Sequence, residues 1–125
     1  MNIGEILTAV EGTMLTPYTN LDAEIKGGFA GDLMSDVLAS IQPDSVLITG
    51  LNNPQVVRTA LIADVRLIIF ARGKKPSQDT VKLAIAERLP IITTKLGLYE
   101  IASRLANKGL PSFEIPMDRS FYPAQ

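Results

Sequence analysis

Two short polar stretches, each directly after an apolar run, are the strongest candidates for chemistry in this sequence. Gly50-Leu51-Asn52-Asn53 follows the run SVLIT, and Arg72-Gly73-Lys74-Lys75 follows the run VRLIIFA. A glycine turn exposes backbone N–H groups, and cationic side chains beside such groups can hold a phosphate or a carboxylate. We therefore predict that these loops bind a small anionic ligand or an acidic partner. The predicted ligand-binding residues are Gly50, Leu51, Asn52, Asn53, Arg72, Gly73, Lys74 and Lys75.

The first stretch does not have the signature of a nucleotide-binding loop. It lacks the G-x-G-x-x-G spacing of dinucleotide sites and the G-x-x-x-x-G-K-[ST] of the P-loop. A turn at Gly50, a helix cap at Asn53 and a solvated loop at Arg72–Lys75 would explain the same residues without any ligand. Both interpretations stay open from the sequence alone.

A second glycine cluster, GGFAGD, lies at residues 27–32. Its glycines could let a ligand or another subunit approach the backbone closely, or they could form a tight turn before a helix that Asp32 caps. The carboxylate of Asp32 would repel a phosphate at that helix start, which argues against anion binding there.

A pair of carboxylates suggests an alternative function, that of a small enzyme. Asp32 and Asp36 are four residues apart, so a helix would place them on one exposed face. Such a pair could hold a magnesium ion or act as an acid/base pair, with Ser35 or Thr49 assisting. A solvated helix face explains the same spacing. We predict no catalytic residue, no metal site and no cofactor.

The composition excludes several classes of function. The 125 residues contain no cysteine and no histidine, which excludes thiol nucleophiles, Cys/His zinc sites and histidine-dependent triads. Twelve basic and thirteen acidic residues leave a net charge of −1, whereas nucleic-acid-binding proteins normally carry a basic excess. No uncharged apolar run approaches the roughly 18 to 20 residues of a membrane span, and no basic signal-peptide region is present. We expect no nucleic acid, no membrane and a cytoplasmic location.

Alternating strand and helix patterns indicate the fold class. A helix over residues 2–11 and a short strand at Leu21–Ile25 precede a helix that begins at Asp32 and stops at Pro43. Three further strands, at 45–50, 65–71 and 90–94, are each followed by a helix. This order predicts an α/β three-layer sandwich with a mostly parallel four- to five-stranded sheet flanked by helices. The residues predicted to line the inner face of the helix after Asp32 are Leu33, Met34, Val37, Leu38 and Ile41.

We predict a single domain over residues 1–112 and a C-terminal tail over residues 113–125. The tail could add an edge strand at Phe113–Ile115 or wrap across a partner subunit. It also suggests another possible function, that of a scaffold subunit which docks onto a larger enzyme through Phe113, Phe121 and Tyr122.

The succession of segments resembles the DRTGG domain. The matching stretches are SVLITG, a capped helix with Arg58, RLIIFARGKKPS, LAIAERLPIITT and GLYEIASRL, and the resemblance extends over about residues 2 to 115. The family appears as a regulatory module in CBS-containing family II inorganic pyrophosphatases and in long phosphotransacetylases, and its fold is similar to that of the N-terminal domain of HPr kinase/phosphorylase.

This chain departs from the residues that name the family. Gly50-Leu51-Asn52 stands where the family usually has Gly-Asp-Arg, and Ala71-Arg72-Gly73 stands where it usually has Thr-Gly-Gly. A ligand that depends on that aspartate and arginine is therefore not carried over. The resemblance implies the fold, a non-catalytic regulatory or interaction role, and association in pairs, hence a homodimer that binds a small anionic ligand or a partner enzyme.

Overall fold

The computed structural model of the chain describes residues 1–116, which form five strands and five helices. The strands are β1 (Thr13–Met14), β2 (Gly27–Ala30), β3 (Ser45–Thr49), β4 (Leu67–Phe70) and β5 (Ile91–Thr93). The helices are α1 (Ile3–Ala9), α2 (Met34–Ser40), α3 (Pro54–Ile62), α4 (Gln78–Ala86) and α5 (Leu98–Asn107). No helix within this part of the chain is long and apolar enough to span a membrane.

The strands form one sheet with the order β1-β5-β4-β3-β2. The four strands from β2 to β5 are parallel, and β1 adds to β5 in the antiparallel direction. All residues of β3 and β4 are buried, as expected for β-branched and apolar runs covered on both faces. The predicted α/β class with a mostly parallel sheet is confirmed.

The helices form two layers whose composition follows from the strand order. Because the parallel strands succeed one another in a single direction across the sheet, right-handed crossovers place α2, α3 and α4 on one face. Helix α5 follows the last strand, packs with α1 and covers the opposite face. Alternate strand residues therefore enter separate cores: Leu47 and Ile68 face α2–α4, and Val46 and Ile69 face α1 and α5.

Side-chain caps start three of the described helices, including the one predicted at Asn53. The Asn2 side chain accepts a hydrogen bond from the Glu5 N–H at 2.8 Å, and the Glu5 carboxylate accepts one from the Asn2 N–H at 2.9 Å, which completes a capping box. Asn53 and Ser77 cap α3 and α4 by accepting hydrogen bonds from backbone N–H groups of the first turn.

Four of the five described helices have a residue in the left-handed backbone region two positions after their last residue. These residues are Glu11, Asp64, Arg88 and Gly109, with φ between 52° and 97°. In each case the next N–H donates to a carbonyl five residues earlier, for example Leu89 to Ala84 at 2.9 Å. This is the Schellman arrangement, in which glycine normally occupies the left-handed position.

The first parallel strand lies at residues 27–30, so the predicted strand at Leu21–Ile25 is wrong. That stretch contains only an isolated bridge between Glu24 and Asn2. The glycine cluster, for which a close approach to the backbone or a tight turn was predicted, contains strand β2. The local sequence does not indicate this strand, because its glycines answer to a distant residue. A side chain at Gly27 would overlap with the ring of Phe113. Gly28 exchanges backbone hydrogen bonds with Pro111 and Phe113 at 2.9 and 2.8 Å, so residues 111–113 lie against the outer edge of β2.

Helix α2 differs from the prediction in its start and its buried face. It begins at Met34, and its N-cap residue Leu33 makes no side-chain capping bond. Leu33 and Leu38, predicted to be buried, are 61% and 48% exposed. A helix of seven residues offers only a narrow inner stripe, which Val37 and Ser40 fill. Phe121 and Tyr122, predicted to dock the tail, lie outside the described residues.

Candidate functional site

The loops after the parallel strands meet at one edge of the sheet, because parallel strands end at the same side. They are residues 31–33 after β2, 50–53 after β3, 71–77 after β4 and 94–97 after β5. The predicted ligand-binding residues all belong to the loops after β3 and β4, which are neighbouring strands. We refer to this surface as the carboxyl edge.

Asn52 joins the two predicted loops directly. Its side-chain amide donates a hydrogen bond to the carbonyl of Lys75 at 3.2 Å. Its own carbonyl accepts a hydrogen bond from the hydroxyl of Thr80 at 3.1 Å. The structure thus brings Gly50–Asn53 and Arg72–Lys75 together on one continuous surface.

Arg72 connects three loops of the carboxyl edge. Its φ of 63° is in the left-handed region, and its N–H donates to the carbonyl of Leu96 at 2.8 Å. Its guanidinium lies over Gly50, where any side chain would overlap with Nη1. The next N–H, from Gly73, donates to the carbonyl of Thr94 at 2.7 Å. The backbone of Arg72 is therefore tied to the loop after β5 and its side chain to the loop after β3.

The N–H group of Gly50 is not free, contrary to the prediction from sequence. It donates to Asp32 Oδ1 at 2.7 Å, and the Thr49 hydroxyl donates to the same oxygen at 3.0 Å. The next N–H, from Leu51, donates to the Thr49 hydroxyl at 3.2 Å. An internal carboxylate thus already occupies the anion position at this turn. The sequence carried no local signal for it, since Asp32 and Gly50 are 18 residues apart.

The carboxylate pair Asp32 and Asp36 does not share a helix face. Asp32 precedes α2 and bonds to the turn after β3, whereas Asp36 and Ser35 lie on α2 and are exposed. Thr49 is fully buried, and its hydroxyl donates to Asp32. Within residues 1–116 no group of three acidic residues is placed to hold a metal ion. The structure therefore does not bring these four residues into one catalytic arrangement.

Exposed cations without ionic partners concentrate at the carboxyl edge. Arg72, Lys74 and Lys75 are exposed. Lys95 in the neighbouring loop is exposed too, although it was not among the residues predicted from the sequence. The ion pairs among the described residues use other cations, so these four make none with a described carboxylate within 4.0 Å. Asp32 and Asp79 add negative charge at the same edge. The cations are nevertheless available to an external anion.

Arg104, on the later turns of α5, has a structural role away from this edge. The pKa of its guanidinium is raised because Glu100 and Glu11 accept hydrogen bonds from it. Each of these bonds measures 2.9 Å, and Nη1 also donates to the carbonyl of Ala9 at 3.3 Å. This network links the end of α1 to α5.

Two cavities lie outside the predicted surface. One, of about 770 Å³, is at the amino-terminal side of the sheet and is lined by residues that include Tyr18, Asp64 and Arg88. The other, of about 880 Å³, lies between α1 and the end of α5. Neither includes a predicted ligand-binding residue.

Comparison with known proteins gives a family match and a similar fold. The family model described as DRTGG domain matches residues 5–107. No curated protein matches the chain. Among solved structures, the chain is similar to the CBS and DRTGG domains of the regulatory region of Clostridium perfringens pyrophosphatase, complexed with the activator diadenosine tetraphosphate. The TM-score is 0.68 at 19% identity, with 94% of this chain and 51% of that chain covered. The likeness shows the fold, and this chain spans about half the length of that one.

Proposed function

Because this chain belongs to the DRTGG domain family, we propose that it is a non-catalytic regulatory module that binds a small anionic ligand at the carboxyl edge of its sheet. The family resemblance drawn from the sequence is confirmed over residues 5–107. The similar Clostridium perfringens structure belongs to a regulatory region and contains an activator, which supports a regulatory role.

One observation carries the site assignment: the glycine turn after β3 and the loop with the exposed cations after β4 are joined into a single surface. The hydrogen bond from Asn52 to Lys75 connects them, and Arg72 extends from one loop to the other. The proposed ligand-binding residues are those predicted from the sequence: Gly50, Leu51, Asn52, Asn53, Arg72, Gly73, Lys74 and Lys75.

We infer that the ligand carries phosphate. Arg72, Lys74 and Lys75 supply several positive charges on one open surface, which matches an anion with several charged oxygens. The activator of the Clostridium perfringens regulatory region, diadenosine tetraphosphate, is such an anion. It is therefore the first ligand to test, together with ATP.

Isothermal titration calorimetry of both nucleotides against the full chain tests this proposal. The variant Arg72→Asn/Lys74→Ser/Lys75→Ser removes the three cations, and asparagine tolerates the positive φ at position 72. We expect its affinity to fall by at least about tenfold, because each hydrogen bond to a charged group is worth roughly 1.5–3 kcal/mol. Thermal unfolding should show that the variant remains folded.

A matched control removes the same charges elsewhere. Lys82→Ser/Arg88→Asn/Lys108→Ser takes one arginine at positive φ and two exposed lysines from outside the carboxyl edge. We expect this control to bind like the wild type. An equal loss in both variants would contradict the site, and no binding by the wild type would contradict the ligand class.

We further propose that the module is a cytoplasmic homodimer and that its regulatory target is a partner enzyme. Support comes from the family resemblance and from apolar side chains exposed on the helix layer α2–α4, such as Leu38 and Ile62.

A further inference from the structure

The carboxylate of Asp32 lies where the anionic group of a ligand would bind. Its Oδ1 accepts hydrogen bonds from the Gly50 N–H at 2.7 Å and from the Thr49 hydroxyl at 3.0 Å. The guanidinium of Arg72 lies over the same glycine. A backbone N–H, a hydroxyl and a guanidinium are the groups that bind a phosphate oxygen. Asp32 is itself exposed, so an external anion can reach this position.

We propose that Asp32 is an internal competitor for the ligand. A phosphate oxygen reaches the Gly50 N–H only when it displaces the carboxylate, so ligand binding and the Asp32 contacts exclude each other. This inference rests on the proposed function, because it describes how the same site is regulated.

Displacement of Asp32 removes the two side-chain hydrogen bonds that fix the segment before α2. The carboxylate links the segment between β2 and α2 to the end of β3. One backbone bond remains there, from the Gly31 N–H to the Ile48 carbonyl at 3.0 Å. Helix α2 has seven residues and no side-chain cap, and it follows the exposed Leu33. Ligand binding thereby loosens an apolar surface that a partner can sense.

Two variants test the competition. Asp32→Asn keeps an oxygen that accepts a hydrogen bond but removes the charge. Asp36→Asn removes the same charge from an exposed position on α2. The probe is inorganic tripolyphosphate, titrated calorimetrically into the full chain.

We expect Asp32→Asn to bind tripolyphosphate more tightly than the wild type, with Asp36→Asn changed much less. Equal affinities of Asp32→Asn and Asp36→Asn would overturn the inference and leave the proposed function standing. No binding by the wild type or any variant would overturn the proposed function together with this inference.

Hydrogen exchange gives an independent readout. Saturation of the wild type with tripolyphosphate should speed amide exchange in α2 while α3 stays protected. Unchanged exchange in α2 of the saturated protein would overturn the proposed loosening.

Discussion

At the carboxyl edge the structural role of a single residue competes with the role that we propose for the site. Asp32 stabilises the turn at Gly50 through two hydrogen bonds, and the same contacts occupy the position of the proposed ligand. A residue that stabilises the free protein in this way makes ligand binding weaker, since the bonds must be broken first.

Replacing Asp32 by alanine should therefore destabilise the free protein. The Asp32→Ala variant leaves the Gly50 N–H and the Thr49 hydroxyl without their acceptor, and we expect a loss of about 1–2 kcal/mol in the free energy of unfolding. Urea unfolding followed by circular dichroism measures this loss. Asp36→Ala is the control, since Asp36 is exposed, and its effect should stay within about 0.5 kcal/mol.

Residue roles were predictable where the partner is close in sequence. The cap at Asn53 was predicted from sequence and acts on a backbone group two residues later, and the caps at Asn2 and Ser77 act over three residues. The contact between Asp32 and Gly50 spans 18 residues and depends on how β2 pairs with β3. No local pattern could reveal it.

At the scale of elements, the helix ends also combine a backbone conformation that costs free energy with contacts that offset this cost. Glu11, Asp64 and Arg88 occupy left-handed positions that cost a non-glycine residue about 1–2 kcal/mol each. Glu11 has a compensating contact, its ion pair with Arg104 at 2.9 Å. Arg88 has no ion pair with a described residue, so relief of strain should be visible at its position.

The substitution Arg88→Gly should stabilise the protein. Glycine removes the backbone strain but adds freedom to the unfolded chain, which leaves a net gain of about 0.5–1 kcal/mol. The midpoint of urea unfolding should rise accordingly. In the comparison variant Gly109→Ala, at φ 97°, the midpoint should fall instead. A fall for Arg88→Gly would show that its side chain makes a stabilising contact that outweighs the strain.

Strand positions were predictable only where side chains mark them. The buried runs of β3 and β4 were located correctly, because apolar β-branched residues form them. Strand β2 was missed, because it consists of Gly27, Gly28, Phe29 and Ala30. The need for glycine at position 27 comes from Phe113, which lies far along the sequence.

At the scale of the whole molecule, the strand order determines the kind of site that the fold can offer. Ligand crevices in open α/β sheets form where adjacent strands lead to helices on opposite faces. The helices after β3 and β4 lie on the same face, so no such crevice lies between the two predicted loops. Helices α4 and α5 lie on opposite faces, so the change of face falls between the loop after β4, which contains Arg72, and the loop after β5.

The helix layer α2–α4 should carry the proposed homodimer contact. Ile62 and Leu38 are 72% and 48% exposed on this layer. Light scattering should give twice the 13.5 kDa chain mass for the wild type and the single mass for Ile62→Asp. Tyr99→Asp, at a residue 88% exposed on α5, should remain dimeric. A monomeric wild type would contradict the homodimer.

The segment that runs beside β2 limits how this domain can associate with other chains. Pro111 and Phe113 satisfy the backbone groups of Gly28 on the outer edge, and β1 closes the other side with two residues. Within residues 1–116, neither border of the sheet presents a long row of unpaired peptide groups as a template for an incoming strand. These borders therefore disfavour β-augmentation and edge-to-edge aggregation, and they favour recognition through side chains.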